Sequence, residues 1–321
     1  MPIAYKAKFG LLALTLFSGA SLASPNVAVP YVVGGQDAPK GAYPWMAQLK
    51  AGSSHCGAVL IDEQWLLSAA HCTFDQFQEG QHTKAEDIIA FIGEDEFNYS
   101  YEEGLPVAEV CQHPNYVDFD STEEGQVTGD YDLVLMRLTN ASSITPIAVN
   151  QSAIFDQYSP GFGLRVIGYG RINNDADNPE YLDELQQADL SLTSVSECSD
   201  FYGAEWLTGQ MFCADSDIAD SCSGDSGGPL FIDEGTQYKL AGIVSWGTRS
   251  CANAPGVYAD VGKLSAWINQ VIQASETERT DPSLCSQLAA VPRPSSSGGG
   301  AAGGFIVIAL LALCRFRKTK S

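Results

Sequence analysis

The chain has 321 residues, of which 45% are hydrophobic and 10% aromatic, which is enough for a buried core and excludes disorder over most of the length. All 39 Asp and Glu lie between Asp37 and Asp281, a stretch that contains only ten of the 17 Lys and Arg. So acidic a chain is not expected to bind nucleic acid. A strongly solvated acidic surface is favoured over one that captures basic proteins.

The first 23 residues have the three parts of a secretory signal peptide. Lys6 and Lys8 precede an apolar run, and small residues follow up to Ala23. The run is shorter than the roughly 20 residues that a transmembrane helix needs. We therefore predict a signal peptide over 1–23 and an exported protein, secreted or at the cell surface, whose cysteines form disulfides.

From Val32 onward, short apolar runs such as DLVLMRL and YKLAGIVSWG alternate with Gly, Pro, Asp and Asn. This spacing predicts an antiparallel all-β domain over 32–276. A helical pattern closes the domain and runs to about Glu276. Its apolar face contains Val261, Leu264, Trp267, Ile268, Val271 and Ile272.

The C-terminal part divides into two segments. Residues 277–304 are rich in Ser, Pro and Gly and are predicted to form a linker. Residues 305–321 form an apolar segment with a basic tip, which predicts a transmembrane helix by the positive-inside rule, whether transient or permanent.

Three motifs contain the residue types of a serine nucleophile and its partners. A reactive serine needs a base within hydrogen-bond reach and an acid that orients that base. GDSGGP contains Ser226, LLSAAHC contains His71 and GDYDLVLMRL contains Asp132. We interpret Ser226 as the nucleophile, His71 as the general base and Asp132 as the orienting acid.

Three further motifs lie in the same chain: VVGG at 32–35, SWG at 245–247 and PGVY at 255–258. In their sequences and in their order along the chain, the six motifs resemble those of the chymotrypsin/trypsin family of serine proteases. The resemblance implies two six-stranded antiparallel β-barrels with a C-terminal α-helix and an active site between the barrels. It further implies that the backbone N–H groups of Gly224 and Ser226 form the oxyanion hole.

The same resemblance assigns a role to the acid that precedes the nucleophile. Proteolysis in this family frees the amine at the VVGG position, here Val32, which then pairs with the acid, here Asp225. Residues 24–31 would be the propeptide. Tyr31, rather than Arg or Lys, precedes the scissile bond, which indicates an activating protease other than the enzyme itself.

Substrate specificity is also implied by the resemblance. Asp220 matches the floor of the primary pocket, and Ser245, Gly247 and Gly256 match its walls. A desolvated acid in an open slot selects Arg or Lys, because other side chains leave it unpaired. The loop from Gly247 to Cys251 contains Arg249, which is expected to restrict the range of substrate sequences that the enzyme accepts.

Family matching implies a disulfide framework for eight of the nine cysteines and leaves Cys314 in the tail. The implied pairs are Cys56–Cys72, Cys198–Cys213, Cys222–Cys251 and Cys111–Cys285. An acidic loop falls where trypsins often bind calcium, with Glu94, Glu102 and Glu103 as hard ligands; ordinary exposed acids are the favoured alternative. No other cofactor or metal is predicted.

The tail resembles the Gly-Gly sorting tails of bacterial exported proteins, which implies a tail-processing membrane protease of the rhomboid type and type II secretion machinery as partners. The function expected is a secreted trypsin-like endopeptidase, made as a zymogen, that cuts proteins or peptides after Arg or Lys. The alternative is a catalytically silent, protease-like binding or adhesion protein displayed through its tail. An esterase is disfavoured by the pocket acid.

Overall fold

The computed structural model describes residues 32–52, 54–74, 82–98, 100, 103–119, 128–251 and 254–286. Over these residues the chain forms two closed antiparallel β-barrels of six strands each, and its longest helix follows the last strand. The predicted fold class is therefore confirmed. The predicted signal peptide, propeptide, membrane segment and most of the linker lie outside the described residues.

The first barrel is built on a core of leucines and other aliphatic side chains. A short strand β1 (Gln36–Asp37) precedes it, and its own strands are β2 (Met46–Ala51), β3 (Ser54–Asp62), β4 (Trp65–Ser68), β5 (Ile88–Ile92), β6 (Leu105–Gln112) and β7 (Val134–Leu138). They pair in the order β2-β3-β4-β7-β6-β5, and β5 pairs with β2 to close the barrel. Leu49, Leu60 and Leu135 are fully buried inside it.

The second barrel follows the two-residue strand β8 (Ala148–Val149). Its strands are β9 (Gly163–Gly168), β10 (Gln186–Leu192), β11 (Met211–Asp215), β12 (Pro229–Asp233), β13 (Tyr238–Trp246) and β14 (Gly256–Asp260). They pair in the order β9-β10-β11-β14-β13-β12, and β12 pairs with β9. In β10 the buried Ala188, Leu190 and Leu192 alternate with exposed residues, the period of a strand with one face in the core.

Helices occupy little of the described chain, and the longest of them lies near its end. The α-helices are α1 (Ile154–Gln157), α2 (Val195–Tyr202), α3 (Val261–Gln273) and α4 (Glu276–Arg279). Helix α3 ends three residues before the predicted limit, because Ser275 caps a new helix and forms a capping box with Glu278. No helix in the described part of the chain has the length and apolarity needed to cross a membrane.

The residues after α3 pack against the first barrel. Arg279 is 7% exposed, and its Nε and Nη2 donate to the Glu109 carboxylate at 2.6 and 3.0 Å. A disulfide joins Cys285 to Cys111 in β6. Residues 277–286, predicted as the start of the linker, therefore belong to the folded unit instead.

Aromatic side chains join the two barrels. The ring of Trp45, just before β2, meets that of Phe231 in β12 edge-on with ring centroids 5.0 Å apart, and the ring centroid of Tyr43 lies 5.3 Å from that of Phe231. Nearby, Gly57 N–H donates to the carbonyl of Ser226 at 2.7 Å, which attaches a loop of the second barrel to strand β3 of the first. The serine of the GDSGGP motif is thereby held at the boundary between barrels.

Candidate active site

Two paired strands bring His71 and Asp132 together. In the antiparallel pair β4–β7, Ser68 lies opposite Val134. His71 follows Ser68 by three residues in a short 3-10 helix (Ala70–Thr73), and Asp132 precedes Val134 by two. Both side chains therefore leave the barrel at the same end, although 61 positions separate them in sequence.

Asp132 holds the imidazole in one orientation. Its side chain is 1% exposed, and its Oδ2 accepts the Nδ1–H of His71 at 2.8 Å while its Oδ1 accepts the His71 backbone N–H at 2.9 Å. Burial by itself lowers the pKa of His71, but the charge and hydrogen bond of Asp132 outweigh it, so the pKa is raised above its usual value. The arrangement leaves Nε2 as the basic nitrogen of a side chain that is 22% exposed.

The hydroxyl of Ser245 contacts this pair. Its hydroxyl donates to Asp132 Oδ2 at 2.5 Å, and the residue is buried at the end of β13. The sequence prediction assigned Ser245 to the pocket wall and missed this bond. Nothing in the sequence near Ser245 indicates this contact, because Asp132 is 113 positions away.

Ser226 lies in a tight turn whose shape depends on glycine. Gly224 has a φ of +101°, a conformation that L side chains rarely adopt, and a Cβ there would lie 3.0 Å from the Cα of Gly170. In the described part of the chain, the N–H groups of Gly224 and Ser226 donate to no protein acceptor. These two donors, predicted as the oxyanion hole, are thus available to a substrate oxygen.

The hydroxyl of Ser226 makes no hydrogen bond to His71 Nε2 among the described side chains. Bonds between a nucleophile and its base are often long in the absence of substrate and shorten when substrate binds. The placement of the two residues at the barrel boundary is therefore compatible with a nucleophile and its base.

Asp225 points into the protein rather than toward the site. It is fully buried, and its two oxygens accept N–H groups of Gly170 and Cys222, each at 2.8 Å. Burial raises its pKa to about 6. Val32 is also fully buried and packs in the core of the second barrel with Ile154.

The VVGG segment lies against the loop that carries Asp220. The carbonyl of Val33 accepts the Asp220 backbone N–H at 2.8 Å. A Cβ at Gly34 would lie only 1.4 Å from the carbonyl oxygen of Ile218. This close approach explains why the segment needs glycine, and it places the predicted activation segment next to the predicted pocket.

Asp220 is a buried acid with one unpartnered oxygen. The residue is 4% exposed, and its Oδ1 has no hydrogen-bond partner among the described residues. Burial is the main cause that raises its pKa to about 8, with smaller contributions from the charges of Asp225 and Asp215. An ionised carboxylate here needs a cationic partner.

The two glycines predicted as pocket walls have no side chains, which leaves open space beside the Asp220 carboxylate. A Cβ at Gly256 would lie 2.9 Å from Asp220 Oδ1. A Cβ at Gly247 would lie 4.0 Å from the Cα of Gly256, so side chains at these positions would fill the gap between the walls. The structure thus brings Asp220, Gly247 and Gly256 together and directs the hydroxyl of Ser245 toward Asp132.

Within the described residues, four disulfides connect segments of the site and of the fold. They are Cys56–Cys72, Cys111–Cys285, Cys198–Cys213 and Cys222–Cys251, the pairs that the family resemblance implies. Cys56–Cys72 lies directly beside His71, and Cys222–Cys251 ties the nucleophile loop to the wall segment.

The acidic loop does not form a cation site from its described residues. Glu94 and Glu103 are exposed, and the neighbouring Glu96 pairs with Lys40 at 3.0 Å. Within the described residues, the one group of clustered potential metal ligands is Cys56, His71 and Cys72, whose sulfur atoms form a disulfide. Glu102 lies outside the described residues, and calcium binding stays a prediction.

Comparison with known proteins agrees with this geometry. The sequence model of the trypsin family matches residues 32–268. The solved structure of neuropsin, a serine protease expressed in the limbic system of mouse brain, is similar with 28% identity and a TM-score of 0.61. That match covers 74% of this chain and 99% of the neuropsin chain. Since the family match spans well over half of its length, the chain belongs to the trypsin family of serine proteases.

Proposed function

We propose that the protein is an endopeptidase that cleaves peptide bonds after Arg or Lys. The observation that carries this specificity is Asp220, a nearly fully buried acid with an unpartnered oxygen between two glycine walls. A guanidinium or ammonium group supplies the missing partner, whereas an apolar side chain leaves a desolvated acid unpaired. A simple esterase would not need such a group.

The geometry supports an acyl-enzyme mechanism in which three side chains have separate roles. His71 Nε2 removes the proton from Ser226 Oγ as the oxygen attacks the scissile carbonyl, and then protonates the leaving amine. Asp132 keeps the Nδ1–H tautomer and stabilises the imidazolium, aided by Ser245. The N–H groups of Gly224 and Ser226 stabilise the developing oxyanion, each by about 3 kcal/mol.

We propose that the protein is made as a zymogen. Asp225 is fully buried with two backbone donors and no cationic side chain paired with it among the described residues. A new amine at Val32, released by a protease that cuts after Tyr31, would neutralise this acid. Without that partner, ionised Asp225 is costly by several kcal/mol, which destabilises the loop that forms the oxyanion hole.

We further propose that the enzyme is exported and associates with a membrane through its tail at some stage. The support is the signal-peptide pattern over 1–23 and the apolar segment with its basic tip over 305–321. Processing of the tail by a membrane protease and passage through type II secretion machinery follow from the resemblance to bacterial sorting tails. Intact mass of the released protein tests both ends together.

The specificity is tested on protein processed to begin at Val32. Peptides that differ only in having Arg, Lys, Leu or Glu at the cleaved bond should be hydrolysed at the first two. Asp220→Ser should lower kcat/KM for the Arg peptide by at least about 10³-fold, because an unpaired guanidinium loses a buried partner. Asp217→Ser, which removes an exposed acid from the same loop, should leave it unchanged.

A fluorophosphonate probe separates the specificity from the enzymatic activity. Labelling that Ser226→Ala abolishes supports the nucleophile, even if peptides other than the Arg and Lys ones are cleaved. Correctly processed protein that takes up no probe and cleaves no peptide contradicts the proposal and favours the catalytically silent binding or adhesion protein.

A further inference from the structure

The histidine that directly follows strand β6 lies between two aromatic rings. The ring of His113 stacks on that of Tyr131, with ring centroids 4.5 Å apart and an angle of 25° between the planes. The ring centroid of Trp267, in helix α3, lies 4.6 Å from that of His113. His113 is only 5% exposed, so its ring is an internal contact between α3 and the segment that contains Tyr131.

The C-terminal extension, defined as residues 274–286 after α3, holds Trp267 in place. The indole Nε1–H of Trp267 donates to the carbonyl of Leu284 at 2.9 Å. The next residue, Cys285, forms the disulfide with Cys111 in β6. The extension lies wholly after residue 268, where the match to the trypsin family ends.

Tyr131 has an unusual backbone conformation directly before Asp132. Its φ is +54°, in the left-handed region that residues other than glycine seldom adopt. Such a conformation is unfavourable and persists only where the surrounding structure holds it. A change in φ at Tyr131 would reorient the peptide group that leads into Asp132.

His113 contacts the chain on both sides of Asp132. Its ring stacks on Tyr131, and its backbone N–H donates to the carbonyl of Leu133 at 3.0 Å. Asp132 in turn accepts the Nδ1–H and the backbone N–H of His71 at 2.8 and 2.9 Å. Two hydrogen bonds of this length tolerate little displacement of the carboxylate.

We propose that His113 is a positioning residue for Asp132. The C-terminal extension acts on His113 through Trp267, so the attachment of the chain end to the first barrel supports the geometry of the acid and the base. This inference rests on the proposed function, because the position of Asp132 matters for catalysis only if His71 is the general base.

A displaced Asp132 leaves a mark on the titration of His71. Against the effect of burial, the charge and hydrogen bond of Asp132 raise the pKa of His71. A weaker contact therefore lowers this pKa. Since activity is lost as the pH falls through the pKa of the base, the acidic limb of the pH profile moves to lower pH. A loss of stability alone does not move this limb.

The test measures the rate of fluorophosphonate labelling between about pH 5 and pH 9 on protein processed to begin at Val32. His113→Ala should lower the plateau rate by at least about tenfold, because a small misplacement of reacting groups is costly, and should move the acidic limb to lower pH. His113→Phe, which keeps a ring in the same place, should label within about threefold of the unaltered protein. Burial lowers the pKa of His113 to about 4, so its own titration lies below this range.

Two further variants keep His113 and alter the extension. Trp267→Phe keeps a ring but removes the N–H that donates to Leu284. Replacement of both Cys111 and Cys285 by Ala removes the covalent attachment of the extension. Both variants should change the plateau rate and the acidic limb in the same direction as His113→Ala, and by a smaller factor.

Replacement of both Cys198 and Cys213 by Ala is the matched control. It removes a disulfide at β11 of the second barrel and should leave the acidic limb unchanged. If His113→Ala does not fold, the two variants of the extension decide the outcome. Folded variants whose plateau rate and acidic limb match those of the unaltered protein overturn the inference.

Failure of the proposed function gives a different result. The probe reacts with an activated serine whichever residue the enzyme cleaves after, so the test does not depend on the preference for Arg or Lys. Unaltered, correctly processed protein that takes up no probe overturns the proposed function. Probe uptake that none of these variants changes overturns only the role of His113 and of the extension.

Discussion

At the scale of single residues, Asp220 is the side chain on which the proposed preference for Arg or Lys depends. Its burial and its unpartnered Oδ1 make ionisation unfavourable while the pocket holds no cation, and its pKa is raised to about 8. From a pKa of about 8, we expect Asp220 to be largely protonated at neutral pH in protein that has no bound cation. A bound guanidinium or amidinium favours the ionised form and lowers the pKa again.

We expect binding of benzamidine to the processed protein to release most of one proton at pH 7, because the amidinium ionises Asp220. Affinity should rise from pH 6 to pH 8 and level off above that. Calorimetric titration in two buffers of different ionisation enthalpy measures the proton release. Asp220→Asn should bind weakly and release none; an affinity that stays flat from pH 6 to pH 8 contradicts the assigned pKa.

At the scale of elements, Arg171 connects two loops of the second barrel. It follows β9, and its guanidinium is almost fully buried, with Nη2 donating to the carbonyl of Arg249 at 2.6 Å. The same Nη2 lies 3.2 Å from Cys251 Sγ. Arg171 thereby supports the segment that begins at Gly247 and forms one wall of the Asp220 pocket.

Arg171→Met should raise KM for Arg peptides about tenfold or more and change kcat less, since a hydrogen bond from a charged group contributes about 1.5–3 kcal/mol. Methionine fills similar space without donating to the Arg249 carbonyl. Steady-state kinetics on one Arg peptide gives both constants. Arg165→Met, which breaks ion pairs with Asp189 and Asp233 outside the pocket, serves as the control. An unchanged KM in Arg171→Met contradicts the supporting role.

Sequence alone was sufficient where a motif and its role lie in one segment. DLVLMRL predicted the strand after Asp132, and the cysteine spacing matched to the family predicted the four disulfides. Arg171 was not identified, because the support it gives depends on a contact with Arg249, which lies 78 positions away in the chain. No periodicity in a single sequence reports such contacts.

The predicted start of the linker at residue 277 was too early, also because a contact between distant parts of the chain is not visible in the sequence. Polar composition after α3 suggested a linker, yet Arg279 pairs with Glu109, 170 positions earlier. The end of α3 itself was readable, since Ser275 and Glu278 have the spacing of a capping box.

For the whole molecule, the Cys111–Cys285 disulfide connects the end of the folded chain to the first barrel. It closes a loop of 174 residues, whereas Cys198–Cys213 closes one of 15. Loop-closure entropy lost by the unfolded chain increases with loop length, from about 3 kcal/mol for 15 residues to nearly 5 for more than 100. The long-range disulfide is thus expected to stabilise the molecule more.

Replacing both Cys111 and Cys285 by Ala should lower the free energy of unfolding by about 2 kcal/mol more than replacing Cys198 and Cys213, for the entropic reason above. Guanidinium unfolding of the two double variants at one pH provides the comparison. An equal or smaller loss for the Cys111 and Cys285 variant would show that native-state contacts outweigh loop length.

The hydrogen bond from Gly57 N–H to the Ser226 carbonyl links the two barrels next to the proposed nucleophile. We therefore expect the rate of turnover to depend strongly on the relative position of the barrels. The proposed nucleophile comes from one barrel and the proposed base from the other, so a displacement of about 1 Å between the barrels would separate the two reacting atoms while every strand stays intact. Under mildly denaturing conditions we therefore expect catalytic activity to fall before the β-sheets unfold.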